Sequence, residues 1–188
     1  MSAPDASPPA GSARSPRRVR AFTLIEILTV IAIVAVLTGI VLGVGRRAAE
    51  SARIARAKGE LAALSAALEG YKRQYGEYPR TASAAVLLQS LAGRLGPTQS
   101  SLSGRSRLDL ASFSIRNGAD PLSDATALLI DPWDQPYVYA YKTPAGDWTN
   151  PGFVLYSIGP DGKDDPALEQ GSPRRGATEN ADNLYANE

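Results

Sequence analysis

The feature that most constrains this chain is an uninterrupted apolar run close to its N-terminus. Residues 22–45 contain no lysine or arginine and only one acidic residue, Glu26. An α-helix of that length extends about 36 Å at ~1.5 Å per residue, which is enough to cross a hydrocarbon core of about 30 Å. The alternatives are a buried core helix and the apolar region of a signal peptide, which is usually only about 7–15 residues long. The run therefore predicts a single membrane-spanning helix over residues 22–45.

A basic, polar leader precedes the apolar run. Residues 1–21 are rich in Pro, Ser and Ala and carry four arginines against one acid, Asp5. A segment of this composition has too little apolar surface to offset the entropy of ordering it, so we expect it to be disordered or removed. Charge does not fix the orientation of the predicted span, because arginines lie both before it and after it.

Composition excludes most of the common catalytic and metal-binding chemistries. The chain has 188 residues, no His and no Cys, so it holds no imidazole or thiolate zinc site, no disulfide and no Ser-His or Cys-His nucleophile. Its net charge of +1 provides no basic field for a nucleic-acid partner. No carboxylate stands in a recognisable catalytic context, so we expect a protein that is not an enzyme. A membrane-anchored enzyme or binding domain is the alternative from a different class.

The helix is predicted to continue well past the apolar run. No proline occurs between residues 46 and 78, good helix formers predominate, and Tyr78-Pro79 predicts the end of the helix. Spacings of three, four and seven residues place one apolar stripe, predicted to pack on a small domain, against a charged face. The stripe consists of Ile54, Leu61, Leu64, Leu68, Tyr71 and Tyr75. The charged face consists of Arg53, Arg56, Glu60, Lys72 and Arg73.

Beyond the long helix, the pattern predicts one short helix and a long loop. Residues 82–95 show helical periodicity and predict a second helix. Residues 96–127 are rich in Ser, Gly, Asp and Arg with weak periodicity. They predict a loop that contains one short element at residues 108–115.

The rest of the domain is predicted to contain an antiparallel hairpin. Residues 137–142 and 153–158 are rich in β-branched and aromatic side chains, and a turn is predicted at residues 144–147. Two strands alone are marginally stable in water. We therefore expect the hairpin to lie on the stripe of the long helix, where a third strand could join it.

Glu26 is the informative residue of the apolar run. An ionisable group inside a membrane segment costs about 2.5–3.5 kcal/mol on insertion scales when it is central, so a partner or a function must offset that cost. Cleavage between Ala21 and Phe22 would create an α-ammonium within reach of Glu26 in the same chain or in a neighbouring chain. The alternative is an interfacial glutamate whose side chain reaches water.

The segment around Glu26 resembles a known processing signal. Arginines followed by AFTLIE at residues 21–26 and an apolar run are similar to the class III signal of type IV pilins and type II secretion pseudopilins. The resemblance implies cleavage after Ala21 by a prepilin peptidase and N-methylation of Phe22. It also implies that Glu26 is the charge that docks the incoming subunit in a helical filament. Ala21 departs from the family, in which glycine is usual before the cut.

Three further strings resemble the major pseudopilin of type II secretion. The first is Tyr71-Lys72 with Tyr78-Pro79 at the end of the long helix. The other two are DPWDQPY at residues 131–137 and SIGPDG at residues 157–162. Asp134 departs from the family, in which glycine is usual, and the loop before the second string is long. From its residues alone, DPWDQPY predicts a structural turn that buries Trp133 and presents the next strand.

The resemblance implies an α+β, type IV pilin-like fold in which a long N-terminal helix packs on a small antiparallel sheet. Residues 1–21 would be the cleaved leader, residues 22–45 the membrane-spanning and filament-core half of the first helix, and residues 46–188 the periplasmic domain. The implied protein is a single-pass component of the bacterial inner membrane that polymerises into a short periplasmic pseudopilus for protein export. Its partners would be minor pseudopilins, the prepilin peptidase and the inner-membrane secretion platform. The alternatives are a type IV pilin, a competence pseudopilin or a minor pseudopilin.

The C-terminal segment is acidic and predicts a candidate calcium site. Residues 159–188 hold seven acids against three basic residues, and calcium takes about six to eight oxygen ligands, often from a flexible loop. A solvated acidic tail is the alternative, since the EF-hand spacing is absent. The major pseudopilin binds calcium in this loop. The resemblance implies as ligands the Ile158 carbonyl, Asp161, Asp182 and Asn183, with Asp164 and Asp165 as rival candidates.

Overall fold

A computed structural model describes residues 22–143 and 147–186, without the side chains of residues 40–44. The leader predicted over residues 1–21 lies outside these residues, as does most of the turn predicted at residues 144–147. Contacts divide the chain into two compact units, Met1–Gly45 and Arg46–Glu188.

The long helix predicted from the sequence is present as α1, Leu24–Tyr75. Thr23 caps its N-terminus, because Thr23 Oγ1 accepts a hydrogen bond of 3.3 Å from the N–H of Glu26. The helix ends slightly before the predicted Tyr78-Pro79 boundary, because Gly76 adopts φ = 82°. The Gly76 N–H donates to the Lys72 carbonyl at 2.7 Å, which completes a left-handed helix stop.

No helix within residues 22–143 and 147–186 combines the length and the apolarity that crossing a bilayer requires. The run for which a membrane span is predicted, residues 22–45, includes residues 40–44, whose side chains are not described. The span therefore stays a prediction.

The centre of the predicted apolar stripe on the second half of α1 is buried. Leu61, Leu64, Leu68 and Tyr71 are each at most 2% exposed, and they belong to one cluster with side chains of the sheet. The two end residues of the stripe are only half-buried. The stripe is thus a core-packing surface, as predicted.

Glu60 is predicted to lie on the charged face of α1, but it is buried in the core, so this prediction is wrong for Glu60. Its side chain is 7% exposed. Oε2 accepts a hydrogen bond of 2.5 Å from the Tyr137 hydroxyl, and Oε1 accepts one of 2.7 Å from Arg56 Nε. A buried carboxylate is tolerated where both oxygens are paired, and the tyrosine that pairs with Glu60 comes from a distant part of the chain.

The second helix, α2, spans Ala84–Leu91 and is shorter than the predicted residues 82–95. Ser83 caps it by accepting the N–H of Val86 at 3.4 Å. Gly93, at φ = 81°, takes the chain out of the helical conformation shortly after its end.

The region predicted as a loop, residues 96–127, contains the short element expected near its centre. Leu110–Ser112 forms a 3₁₀ turn, and Ser114–Ile115 forms strand β1. Strand β1 pairs antiparallel with β2, Leu129–Ile130, immediately before the DPWDQPY turn. The predicted element at residues 108–115 is therefore confirmed, and its pairing partner lies outside the loop.

A three-stranded antiparallel sheet forms the centre of the C-terminal unit. Strand β3, Val138–Ala140, pairs with β4, Val154–Ser157, which confirms the predicted hairpin. A separate hairpin of β5, Leu168–Glu169, and β6, Ser172–Pro173, follows in the chain. The last strand, β7, Leu184–Tyr185, pairs antiparallel with β4 and supplies the third strand.

The core of the C-terminal unit lies between this sheet and the second half of α1. Tyr139 stands opposite Leu155 across β3 and β4, and both join Leu64 and Leu68 of α1 in one buried cluster. These four side chains are each at most 2% exposed. The predicted fold class is confirmed: an α+β protein with a long N-terminal helix and a small antiparallel sheet.

Candidate functional site

The first turn of α1 carries the residues of the predicted processing and assembly site. Phe22 is 72% exposed, Glu26 is exposed, and Ala21 lies outside the described residues. Thr23 and Glu26 have the spacing of a capping box, and Thr23 accepts the Glu26 N–H. The positive end of the helix dipole favours a carboxylate in this turn.

Glu26 is surrounded by open apolar surface. Its neighbours Leu24, Ile25 and Leu28 are 85%, 70% and 57% exposed. Within the described part of the chain, the Glu26 carboxylate has no hydrogen-bond or ion-pair partner. The segment thus presents one acid and an apolar surface to whatever molecule covers it.

The DPWDQPY turn is organised by a buried acid, Asp131, which is 1% exposed. Its Oδ1 accepts the N–H groups of Trp133 and Gln135, both at 2.9 Å. Its Oδ2 accepts the Ser157 hydroxyl at 2.5 Å. Because both carboxylate oxygens are satisfied inside the protein, Asp131 holds the turn against strand β4.

Two further side chains of this turn reach α1. Trp133 Nε1 donates to Glu50 Oε1 at 3.1 Å, and the Tyr137 hydroxyl donates to Glu60. Trp133 is half-buried, less than predicted, because its indole N–H meets a carboxylate near the surface. Burial and the neighbouring Glu60 carboxylate raise the pKa of Tyr137, so its hydroxyl stays protonated and donates. The turn is structural, as predicted.

Asp134 occupies a position in the same turn that favours glycine. Its φ is 65°, in the left-handed region that costs a residue with a Cβ roughly 1–2 kcal/mol, least for Asn and Asp. This conformation explains why glycine is usual here in the resembling proteins, and aspartate is among the residues that tolerate it best.

The structure brings two of the predicted calcium ligands, Asp161 and Asp182, together. The Asp161 N–H donates to Asp182 Oδ2 at 3.1 Å. Gly159 has φ = 73°, and a Cβ there would lie 2.4 Å from the Asp182 carbonyl oxygen, so only glycine permits this approach. The turn after β4 and the segment before β7 meet at this point.

Asn183 and Asp164 form a second pair. Asn183 Nδ2 donates to Asp164 Oδ1 at 3.2 Å, and the Tyr156 hydroxyl donates to the same carboxylate at 3.0 Å. Asn183 is 7% exposed, and its Oδ1 is buried without a hydrogen-bond partner. Ile158, whose carbonyl is the remaining predicted ligand, is buried directly after β4.

The rival candidate Asp165 is engaged elsewhere, in a set of contacts that closes the extended loop. Its carboxylate pairs with Arg174 Nη1 at 2.9 Å, and its N–H donates to Asn180 Oδ1 at 2.7 Å. Asn180 is 3% exposed and donates to the carbonyls of Asp165 and Arg174 at 3.2 and 3.0 Å. The sequence analysis missed Asn180, because an asparagine in a polar loop gives no signal of burial.

The candidate calcium ligands fall into two pairs in the structure. Among residues 22–143 and 147–186, no three acidic side chains gather as a carboxylate-rich metal site requires. A cation here would depend on amide and carbonyl oxygens as well, which calcium accepts. The unpartnered Oδ1 of Asn183 is the atom that fits such a ligand set best.

Comparison with known proteins agrees with these features. The family model for the prokaryotic N-terminal methylation motif matches residues 16–42, which include AFTLIE. Type II secretion system core protein G of Pseudomonas aeruginosa is 30% identical over 149 residues, covering 79% of this chain and 88% of that protein. No solved structure matches significantly. The resemblance predicted from the sequence is confirmed, and the chain belongs to the family of type II secretion system core protein G, the major pseudopilin.

Proposed function

We propose that this chain is a structural, non-catalytic subunit that polymerises into a short periplasmic pseudopilus and thereby drives protein export. A prepilin peptidase cleaves the precursor after Ala21, and Phe22 becomes the methylated N-terminus. Residues 22–45 anchor the precursor in the bacterial inner membrane, with residues 46–188 in the periplasm. Minor pseudopilins and the inner-membrane secretion platform act with the filament.

The isolation of Glu26 is the observation that carries this proposal. The carboxylate lies in the first turn of a helix whose apolar side chains are exposed. Cleavage before Phe22 creates an α-ammonium beside this turn, and in a stack of such helices the ammonium of one chain can meet the Glu26 of the next. Away from water that ion pair is much stronger than at a surface, and the apolar side chains around it become buried in the same step.

Replacing Glu26 tests this function. We expect Glu26→Gln to lose filament assembly in cells, because the amide carries no negative charge to pair with the ammonium. Electron microscopy and the amount of this protein that shearing releases from the cells measure assembly. Glu26→Asp keeps the charge on a shorter side chain and should retain part of the assembly. Both variants should keep the melting temperature of the wild type, because the Glu26 side chain is exposed. Normal filaments from Glu26→Gln would contradict the proposal.

We also propose that the C-terminal loop binds calcium through the Ile158 carbonyl and the side chains of Asp161, Asp182 and Asn183. Two features support this ligand set: the contact between Asp161 and Asp182 and the buried, unpartnered Asn183 Oδ1. Bound calcium would hold the turn after β4 to the segment before β7. Asp164 stands beside Asn183 and would be the next oxygen ligand available.

Thermal unfolding of the full chain in detergent tests the calcium proposal. A ligand that binds only the folded state raises the melting temperature by mass action, so millimolar calcium should raise it by several degrees relative to a chelator. Asp182→Asn should remove most of this rise. Asp165→Asn is the matched control: it breaks the contact with Arg174 and lowers stability, but it should keep the calcium-dependent rise. An unchanged melting temperature of the wild type would contradict the proposal.

A further inference from the structure

A large open groove lies along the second half of α1, entirely within the C-terminal unit. Its volume is about 790 Å³. The α1 side supplies small residues, among them Ala66 and Gly70, and the segment around residues 105–113 forms the facing wall. Small side chains on the helix leave room for a side chain of another molecule to reach the helix surface.

Three arginines line this groove: Arg73, Arg105 and Arg107. A Cβ on Gly70 would lie 3.7 Å from Arg73 Nη2 and 3.9 Å from Arg107 Nη1, so these two guanidinium groups converge on one point. Among the residues that the structure describes, none of the three arginines has a carboxylate within ion-pair distance. Converging like charges without a counter-ion favour an anion between them.

The groove's own acid does not supply that anion. Asp109 lines the groove, but its Oδ1 accepts the N–H of Ala111 at 3.2 Å and its Oδ2 accepts the Ser112 hydroxyl at 2.9 Å. Asp109 thus caps the 3₁₀ turn at Leu110–Ser112.

Arg107 is held in place as a fixed cation. Its Nη1 donates to the Gly70 carbonyl at 3.3 Å, its Nη2 donates to Gln74 Oε1, and its guanidinium lies 5.4 Å from the centre of the Tyr75 ring. Its Nε is buried without an acceptor. A guanidinium that is already oriented loses little freedom when a carboxylate arrives.

The same chain carries a complementary surface. Residues 159–186 contain six acids against three basic residues. Glu179 is exposed and lies on the 3₁₀ turn Thr178–Asn180. No cation of the described chain pairs with it. Subunits of an open helical filament meet through two different surfaces of the same molecule, and a basic groove with an acidic segment supplies such a pair.

We propose that this groove receives the acidic C-terminal segment of a second copy of the chain, with the Glu179 carboxylate between Arg73 and Arg107. This inference rests on the proposed function, because it assumes that copies assemble in a head-to-tail manner. The contact is charge-assisted, so it sets the orientation of neighbouring C-terminal units and weakens as salt rises.

A carboxylate placed in the groove by mutation tests whether the converging arginines stabilise a bound carboxylate. Gly70→Asp puts an acid at the point where the two guanidinium groups converge, and Gly70→Asn is its uncharged match. We expect the full chain with Gly70→Asp to melt at least about 2 °C above Gly70→Asn at low salt, with the difference lost in high salt. Equal melting temperatures at low salt would overturn the inference.

Cross-linking in cells tests the docking part, since the natural chain has no cysteine. Ala66→Cys in the groove and Thr178→Cys beside Glu179, combined in one chain, should give disulfide-linked multimers. Ala66→Cys with Thr98→Cys, an exposed threonine outside the acidic segment, is the control and should not. Arg73→Glu should lower the multimer yield about tenfold, and adding Glu179→Arg should restore it.

The outcomes separate this inference from the proposed function. Filaments that depend on Glu26 but give no multimers with Thr178→Cys would overturn the groove contact and leave the filament intact. Multimers that persist in Arg73→Glu would overturn the role of charge. Binding of a labelled DNA duplex that Arg73→Glu abolishes, without multimers, would show that the groove serves a nucleic acid and would overturn the choice of partner.

Discussion

Both halves of α1 carry large apolar side chains, but the surroundings of these side chains are opposite. In the N-terminal half, Leu37 is 56% exposed, whereas Leu64 in the C-terminal half is 0% exposed. The C-terminal half meets a sheet from its own chain, and its one buried acid, Glu60, has two partners. In the N-terminal half, Leu24, Leu28 and Leu37 are exposed, and so is its acid, Glu26. Apolar surface thus stabilises the fold in one half and is available for assembly in the other.

The largest expected effect comes from matched leucine truncations in the two halves. Leu64→Ala opens a cavity in the core and should lower the free energy of unfolding by about 2–5 kcal/mol. Leu37→Ala removes an exposed side chain and should change it by less than about 0.5 kcal/mol. Denaturant unfolding of the full chain in detergent measures both. Equal losses would show that the N-terminal half packs within its own chain, against the comparison.

The next effect comes from matched changes of a carboxylate to an amide. Asp131→Asn alters the buried acid that accepts three hydrogen bonds and should cost about 2 kcal/mol of unfolding free energy. Glu26→Gln alters the exposed acid and should leave the unfolding free energy unchanged while assembly is lost. Thermal unfolding of the two variants side by side is the measurement. If Asp131→Asn unfolds at the same temperature as the wild type, Asp131 does not organise the turn.

A smaller, stabilising effect is expected at Asp134. Asp134→Gly removes the Cβ from a residue with φ = 65° and should raise the free energy of unfolding by about 0.5–1 kcal/mol. Asp134→Ala is the control, since it keeps a Cβ in the same conformation and should not stabilise. If both variants behave alike in denaturant unfolding, backbone conformation is not what distinguishes this position.

The smallest effect concerns pH. Burial alone would raise the pKa of Glu77, but hydrogen bonds from Lys142 and Arg80 lower it below its ordinary value. Since the pKa is lower in the folded state, the stabilisation is present above the ordinary glutamate pKa of 4.5 and is lost as pH falls through the folded value. The wild type should therefore lose less than about 0.5 kcal/mol more than Glu77→Gln between pH 5 and pH 3. Parallel stability curves for the two proteins would refute this.

Much of the fold could be predicted because its signals are local. The period of the apolar stripe predicted which side of α1 is buried, and alternation predicted the hairpin of β3 and β4. Pairings between distant segments gave no such signal. Glu60 is the clearest case, because its burial depends on Tyr137, 77 positions away in the chain. Strand β7 is similar: it is two residues long, and β4 provides its pairing partner.

The candidate sites likewise divide into those with a local sequence signal and those formed by segments that are distant in the chain. The motif AFTLIE is contiguous, so Phe22 and Glu26 could be predicted from sequence alone. Asp161 and Asp182 also came from motifs, and the structure brings them together. The groove could not be found in this way. Its arginines come from two separate segments and are brought together only by folding.

The central claim is that the N-terminal half of α1 becomes a surface for assembly once the leader is removed. Edman sequencing and the intact mass of the protein extracted from membranes test it most directly. We predict a single N-terminus at methylated Phe22, with the mass of residues 22–188 plus one methyl group. A mature protein that still begins at Met1 would contradict the account.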